Sequence, residues 1–382
     1  MTHRGARKNP FPIHQMDWVL AVMAVTLTAI GLVMIYNASY YNAGTKATFN
    51  YDPAFFVKGQ LAGVVTGAVA MVLLSRIDYH FWQKQWVVYT GILASIVLLA
   101  ACWIPGIGVN LYGARRWLNL GVSVQPSEIA KLALVVFLAW YMTRNHARMK
   151  KFGVAFFPPG LLLGLFAGII LLQPNMSTAV VLALTTFAML FIGGCHLGHW
   201  LGLLGAGFAA GGGLIAMASY RMARLLAFLD PWNPEYLRKD SYQLVQSLYA
   251  LGAGNLFGVG FGMSRQKYAY LPFAESDFIF SIIGEEFGWF GCVILLSLFG
   301  ILIWRGLRIG LTARDRFGSL LAVGITALIA FQVLMNVAVV TGSIPPTGLP
   351  LPFISAGGTN LTILLGEIGI LLNISRTIRM AE

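Results

Sequence analysis

Asp277 stands where a polar stretch meets a long apolar run, in Leu271-Pro272-Phe273-Ala274-Glu275-Ser276-Asp277-Phe278. A carboxylate in that position has two uses. As a helix N-cap it satisfies free backbone N–H groups and gains from the helix dipole. With a suitably tuned pKa it accepts a proton from a sugar hydroxyl. Glu275, Arg265, Lys267, Tyr268 and Tyr270 crowd the same approach, which is more polar chemistry than one cap requires.

A second cluster, Tyr112-Gly113-Ala114-Arg115-Arg116-Trp117, sets two arginines side by side. Guanidinium groups suit phosphate through bidentate hydrogen bonds, and lipid headgroups are the alternative partner. Gln125-Pro126-Ser127-Glu128 then opens a helix with proline where a helix tolerates it, and Glu128 and Lys131 lie at i and i+3 on one face. Ionisable groups inside a span are costly, so this pair marks either a functional interior or a structural ion pair. Glu285 and Glu286 follow Asp277 on the expected helix. Asp277, Ser281 and Glu285 recur every four residues and share a face there, while Gly284 and Gly288 allow close packing. Glu367, in the last apolar run, needs an inward partner that the sequence does not name.

The elements that must position these groups are membrane helices. Of 382 residues, 58% are hydrophobic and only 10% charged, with a mean hydropathy of +0.74. Soluble domains carry about 25% charged residues, so this composition cannot coat a water-facing globule. Apolar runs long enough to cross the bilayer fall at 17–37, 58–75, 86–104, 127–143, 155–172, 177–194, 198–218, 277–304, 317–341 and 360–375. They lack the alternation of barrel strands. The expected fold is an all-α polytopic membrane protein of about ten transmembrane helices. It forms one domain over 1–382, with a cytoplasmic tail at 1–16 and a long extracytoplasmic loop, 219–276, between helices 7 and 8.

Charge sets the orientation. The net charge of +12 is mostly topological and implies no nucleic-acid partner. Arg4, Arg7, Lys8, Arg76, Lys84, Arg144, Arg148, Lys150, Lys151, Arg305, Arg308, Arg314, Arg316, Arg376 and Arg379 fall on one side; the short loops opposite hold only Lys46, Lys58, Arg115 and Arg116. The positive-inside rule places both termini in the cytoplasm. No cleavable signal peptide is evident. Cys102, Cys195 and Cys292 form no metal-ligand spacing, and His196 and His199 read as part of a plain inner turn.

The long loop has its own parts. Arg221 and Arg224, three apart among apolar residues, suit a short helix lying in the membrane interface. Asp230-Pro231-Trp232-Asn233-Pro234 ends it. A second amphipathic piece runs from Gln243 to Leu251, before a glycine-rich stretch over 252–262. Spaced glycines bind nucleotides after a strand in a βαβ unit, so nucleotide binding is not expected here. A third polar segment, 342–358, holds too much Pro and Gly for regular structure. Irregular backbone is tolerated at membrane depth only where it lines a cavity.

With these motifs assembled, the chain resembles the SEDS family of bacterial cell-wall proteins, which includes RodA, FtsW and SpoVE, and leans to the FtsW and SpoVE branch. The resemblance rests on Gly31-Leu-Val-Met-Ile-Tyr-Asn-Ala-Ser39, Gly113-Ala-Arg-Arg-Trp-Leu118, Gln125-Pro-Ser-Glu-Ile-Ala-Lys131 and Gln173-Pro-Asn-Met-Ser-Thr178. It continues with Ser276-Asp-Phe-Ile-Phe280, Gly284-Glu-Glu286, Thr347-Gly-Leu-Pro-Leu-Pro-Phe353 and Leu372-Asn-Ile-Ser-Arg376. The resemblance implies a peptidoglycan glycosyltransferase of the bacterial cytoplasmic membrane. Such a protein polymerises lipid II on the outer face, with a class B penicillin-binding protein as partner. It also implies that Asp277 is the essential aspartate, Arg116 and Trp117 the family's arginine and tryptophan, and Glu128 and Lys131 its membrane-buried pair.

The energy must then arrive in the substrate, since no ATP is available outside, and a lipid-linked diphosphate is a good leaving group. Converting its α linkage to β-1,4 inverts the anomeric carbon in one displacement. Asp277 would take the proton of the acceptor hydroxyl, while Arg115, Arg116, Arg221 and Arg224 hold the diphosphate, alone or with a divalent cation (Mg2+ or Mn2+). Lys267 and Glu275 are further candidates for contact with substrate. Departures from the family pattern are Asn175 in place of an acid, Ala356 in place of an aromatic, and Thr359-Asn360 in place of two small hydroxyls. Two other functions fit the same residues: a lipid II flippase and a non-catalytic scaffold of a cell-wall synthesis complex.

Overall fold

A computed structural model describes residues 16–111, 114–119, 121, 123–216, 219–237, 239 and 241–377. Most of the expected 1–16 tail with Arg4, Arg7 and Lys8, the Tyr112-Gly113 start of the arginine cluster, Arg379 and the Arg221 side chain lie outside the described residues.

Every apolar run of the sequence is a helix. The first seven are α1 (Trp18–Thr45), α2 (Phe55–Arg76), α3 (Gln85–Ala101), α4 (Pro126–Arg144), α5 (Phe152–Leu172), α6 (Met176–Ile192) and α7 (Leu197–Ala216). The loop that follows holds α8 (Ser219–Leu229), α9 (Pro234–Leu237) and α10 (Tyr242–Gly254), and the chain ends in α11 (Ile279–Thr312), α12 (Arg316–Val340) and α13 (Gly358–Ser375). Seven of these, α1, α2, α4, α5 and α11 to α13, are long and apolar enough to cross a membrane; α3 and α6 are shorter apolar helices. α7, of 20 residues, covers the remaining run. The protein is thus a polytopic helical membrane protein with its long loop between the seventh and eighth spans.

Small residues let the helices approach closely, as expected where lipid supplies no hydrophobic drive for association. On the α2–α13 seam a Cβ at Gly63 would stand 2.6 Å from the Gly358 Cα, and one at Gly369 would stand 2.6 Å from the Met71 carbonyl. Thr66 and Thr362 share a 2.7 Å hydroxyl contact across it. α10 lies against α11 in the same way, since a Cβ at Gly254 would overlap the Gly284 carbonyl.

Three features depart from the sequence reading. The 105–128 segment carries an antiparallel sheet of β1 (Gly108–Leu111), β2 (Ala114–Asn119) and β3 (Ser123–Val124), in that order. Helix α11 begins at Ile279, so Asp277 precedes it and does not share the face of Ser281 and Glu285. Gly288, with φ 66° and ψ −164°, breaks the 34-residue α11 into two helical pieces, where continuous packing was expected. A Cβ there would meet the Gly258 nitrogen at 2.4 Å, so the break also admits the glycine-rich strap of the long loop.

That strap explains Glu285, Glu286 and Lys267. Glu285 accepts hydrogen bonds from the Ser264 hydroxyl and from the Arg265 backbone N–H at 2.9 Å. Glu286 takes the Lys267 ammonium at 3.0 Å, and Lys267 also donates to Asn37 Oδ1 at 2.8 Å and to the Gly262 carbonyl at 2.7 Å. Both side chains of the pair are sealed, 1% and 0% exposed. Breaking a buried pair strands a charge and costs about 3–5 kcal/mol. Lys267→Met should therefore lower the thermal unfolding midpoint of the detergent-solubilised protein strongly, and adding Glu286→Gln should recover part of the loss.

Candidate functional site

A cavity of about 420 Å³ opens among α4, α6, the sheet, the long loop and the Pro-rich segment before α13. Its lining brings together Asp277, Arg116, Trp117, Glu128, Lys131 and Arg224 from residues far apart in the chain. Four basic side chains line it (Arg116, Lys131, Arg224 and Lys239) against two carboxylates, Glu128 and Asp277. A concave site with that balance suits an anionic ligand.

Asp277 does not cap α11. The N-cap position belongs to Phe278, and no side chain caps the helix there. The Asp277 carboxylate instead accepts a 3.1 Å hydrogen bond from the Ser276 hydroxyl and faces the cavity. The chain around it is pinned through its carbonyls. Ala356 N–H donates to the Glu275 carbonyl at 2.9 Å, the Ser355 hydroxyl to that of Ser276 at 2.6 Å, and Asn336 Nδ2 to that of Asp277 at 2.8 Å. The second hydrogen of Asn336 Nδ2 reaches the Leu349 carbonyl at 2.7 Å. Gly348, at φ 72°, brings backbone so near that a Cβ would stand 3.2 Å from Asp277 Oδ2. Burial pushes the Asp277 carboxyl above the usual carboxylate range, opposed by the Ser276 hydrogen bond and the Arg116 charge.

The sheet aims Arg116 and Trp117. Val109 pairs with Trp117 and Asn110 with Arg115, so Arg116 is the extra residue of a β-bulge. Alternation would send neighbouring side chains to opposite faces; the bulge lets both Arg116 and Trp117 line the cavity. The Arg116 guanidinium also donates to the carbonyls of Gln173, at 3.1 Å, and Pro174, which ties the sheet to the start of α6. Arg115 is exposed and is not part of the lining.

Glu128 and Lys131 pair at 2.7 Å at the cavity wall, 5% and 3% exposed. Glu367 of α13 lies within electrostatic reach of both, which supplies its inward partner. Asn175 caps α6, accepting from the Thr178 N–H at 3.4 Å and the Thr178 hydroxyl at 3.0 Å, so a neutral amide serves there where the family pattern has an acid. Asn175, Ala356 and Asn360 line the cavity, while Thr359, the other departure noted in the sequence, donates instead to the Ser123 carbonyl.

Besides Arg115, two more predicted residues stand elsewhere. Lys267 is buried in the ion pair with Glu286, because the strap folds back on α11, and it does not reach the cavity. Glu275 lines a smaller cavity on the other side of Phe273. Lys239, Gln243 and Thr178 join the lining without having been singled out. Lys239 carried a signal, since it is a basic residue between two short helices of the loop; Gln243 opens the amphipathic piece and Thr178 closes the Gln173–Thr178 motif, but neither was read as a site residue. Among the described residues no three His, Cys, Asp or Glu side chains gather as a metal-binding group.

The chain matches the model of the Cell cycle protein family, FtsW/RodA/SpoVE, over residues 17–380. It is 41% identical over 366 residues to Stage V sporulation protein E of Bacillus subtilis (strain 168), covering 94% of this chain and 97% of the relative. It is 41% identical over 379 residues to a probable peptidoglycan glycosyltransferase FtsW of Trichlorobacter lovleyi, covering 98% and 97%. Among solved structures it is similar to a chain from a peptidoglycan synthase complex studied for coordination of polymerisation and crosslinking, with TM-score 0.76, 28% identity and coverage of 94% and 98%. Thermus thermophilus RodA aligns with TM-score 0.68 and 26% identity over 96% of this chain and 98% of that one. With the fold, the motifs and these matches in agreement along the chain, it belongs to the FtsW/RodA/SpoVE family of SEDS proteins.

Proposed function

We propose that this chain, a peptidoglycan glycosyltransferase, polymerises lipid II at the Asp277 cavity by inverting displacement of the lipid diphosphate. The observation that carries the reading is the meeting of the Asp277 carboxylate with four basic side chains, Arg116, Lys131, Arg224 and Lys239, in a single cavity. The acceptor hydroxyl oxygen forms a bond to the anomeric carbon of the donor as the bond from that carbon to the diphosphate oxygen breaks. The hydroxyl proton passes to Asp277, and the diphosphate leaves with its charge facing Arg116, Arg224 and Lys239, with Arg221 on the same short helix as Arg224. Lys131, held by Glu128, keeps a positive charge at the wall without being free to wander. Trp117 offers an aromatic surface to a sugar ring.

The charge asymmetry of the loops supports an extracytoplasmic position for this cavity, with both termini in the cytoplasm. A class B penicillin-binding protein is the proposed partner, in keeping with the similarity to a chain of a peptidoglycan synthase complex. A divalent cation, Mg2+ or Mn2+, is proposed to travel with the diphosphate.

Purified Asp277→Asn should bind lipid II and lose glycan synthesis by about 10²–10⁴-fold, as expected when a general base is removed. Gel analysis of the glycan decides it. Retained polymerisation would overturn the assignment, tolerance of Asp277→Ala would point to a scaffold, and lipid II transport in liposomes without polymer would point to a flippase.

The raised carboxyl of Asp277 sets a pH dependence. The base works only when deprotonated, so activity is lost as pH falls through its pKa. Because burial raises that pKa, the acid limb of kcat should lie above the ordinary aspartate range of about 4. Gly348→Ala should slow turnover on the order of tenfold or more by pressing on Oδ2. It should also cost about 1–2 kcal/mol from the left-handed backbone it would force on an L-residue. Steady-state rates and a thermal melt separate the two effects.

A further inference from the structure

Three helices open their N-termini onto the large cavity: the N-cap residues Gln125 of α4, Asn175 of α6 and Gly357 of α13 all stand in its lining. A helix N-terminus carries unpaired N–H groups and the positive end of the helix dipole, so it favours a partner of negative character. Two of the three have one within the chain. Glu128 lies in the first turn of α4, and the Asn175 side chain caps α6. α13 has neither an acid in its first turn nor a side-chain cap.

The start of α13 is rich in free donors. The Gly357 N–H goes to Gln60 Oε1 at 2.8 Å, and the Leu361 N–H to the Gly357 carbonyl at 3.0 Å. Between them, the N–H groups of Gly358, Thr359 and Asn360 have no acceptor among the described residues. Asn360 adds a separate signal. The residue is 8% exposed and lines the cavity, yet its side chain makes no hydrogen bond among the described residues. Its Oδ1 is sealed within the protein, so the atom that meets the cavity is Nδ2, a donor of two hydrogens. Buried polar groups are nearly always satisfied, so an unpartnered amide nitrogen beside an open helix end calls for an acceptor.

We propose that the first turn of α13, with the Asn360 amide, is a phosphate subsite of the cavity, taking one phosphate of the lipid-linked diphosphate. Backbone N–H groups at a helix N-terminus are a ready anion site, and phosphate oxygens accept from several at once. The inference deepens the glycosyl-transfer reading and rests on it for the ligand. It adds donors without formal charge to the basic side chains Arg116, Arg224 and Lys239, which stand on β2 and the long loop. Those side chains attract the diphosphate from a distance. The helix end fixes where one phosphate rests, because N–H donors act only at short range and in line. Ala356, whose N–H holds the Glu275 carbonyl, leads directly into this turn, so one run of chain registers the phosphate against the base.

The full-length protein in phosphatidylcholine nanodiscs is titrated with farnesyl diphosphate by isothermal titration calorimetry at constant ionic strength, with inorganic pyrophosphate as the soluble competitor. Asn360→Asp sets an acid in the first turn of α13, where the dipole favours it, so the thermal midpoint should hold while affinity for both probes falls by about tenfold or more. Thr359→Pro removes an N–H at a position where a helix tolerates proline. It should bind more weakly than Thr359→Ala, which loses the same hydroxyl bond to the Ser123 carbonyl but keeps the N–H. Native affinity in Asn360→Asp would overturn the subsite; if Arg116→Gln then loses binding, the diphosphate reading stands without it. Failure of the native protein to bind either probe would overturn both. Displacement of farnesyl diphosphate by phosphatidylglycerol added to the nanodisc would assign the helix end to bulk lipid headgroups and overturn the proposal. Should Asn360→Asp fail to fold, equal affinity in Thr359→Pro and Thr359→Ala would overturn it as well.

Discussion

Three hydrogen bonds to consecutive carbonyls hold the stretch of chain that carries the proposed base. Residues 275–277 follow no helix, yet they sit where the long loop enters α11, beside membrane-spanning segments that offer no water to unpaired backbone. Irregular chain survives there only if protein or a wet cavity satisfies it. Ala356, Ser355 and Asn336 do so in turn, from the Pro-rich segment and from α12. The Asp277 carboxylate is thereby aimed into the cavity by contacts to its backbone, and among the described residues its side chain accepts a hydrogen bond from the Ser276 hydroxyl. Positioning and reactivity are separated, because the groups that fix the aspartate are not the ones that tune its charge.

The same logic explains why two buried Lys–Glu pairs have such different surroundings. Lys267 and Glu286 join the strap to the broken α11, and every polar atom of the ammonium is turned to a protein acceptor. Such a pair fixes a fold because separating it strands a charge. Glu128 and Lys131 are as tightly paired but stand at the cavity wall, with Glu367 close behind. There the pair borders the space in which the proposed anionic ligand would sit. Spacing within the chain does not distinguish these roles; the neighbouring cavity does.

Membrane helices, their number and the long loop could be read in the sequence, because hydrocarbon imposes a length and composition that few other structures share. The Asp277 junction, the Arg116 cluster, the Glu128–Lys131 pair and Arg224 were also legible, since charges that break an apolar pattern stand out and need a reason. The small sheet was not. Its strands are two to six residues long and sit among glycines, so no alternation builds up to a signal. The break at Gly288 was hidden as well, for a glycine in an apolar run reads equally as a packing site.

What the amino-acid sequence determined by itself is thus which residues cross the membrane and which polar groups are costly enough to matter, because transfer into hydrocarbon is a property of each segment. Which of those groups meet was decided only by the tertiary structure. Register put Arg116 on a bulge and turned it toward the cavity while Arg115 faces out. Folding of the strap drew Lys267 away to Glu286, and Glu275 and Asp277, two residues apart, line separate cavities that share Phe273. Convergence of this kind depends on contacts between residues separated by anything from 19 positions, as Lys267 and Glu286, to 230, as Asn37 and Lys267, and no single-segment pattern encodes those.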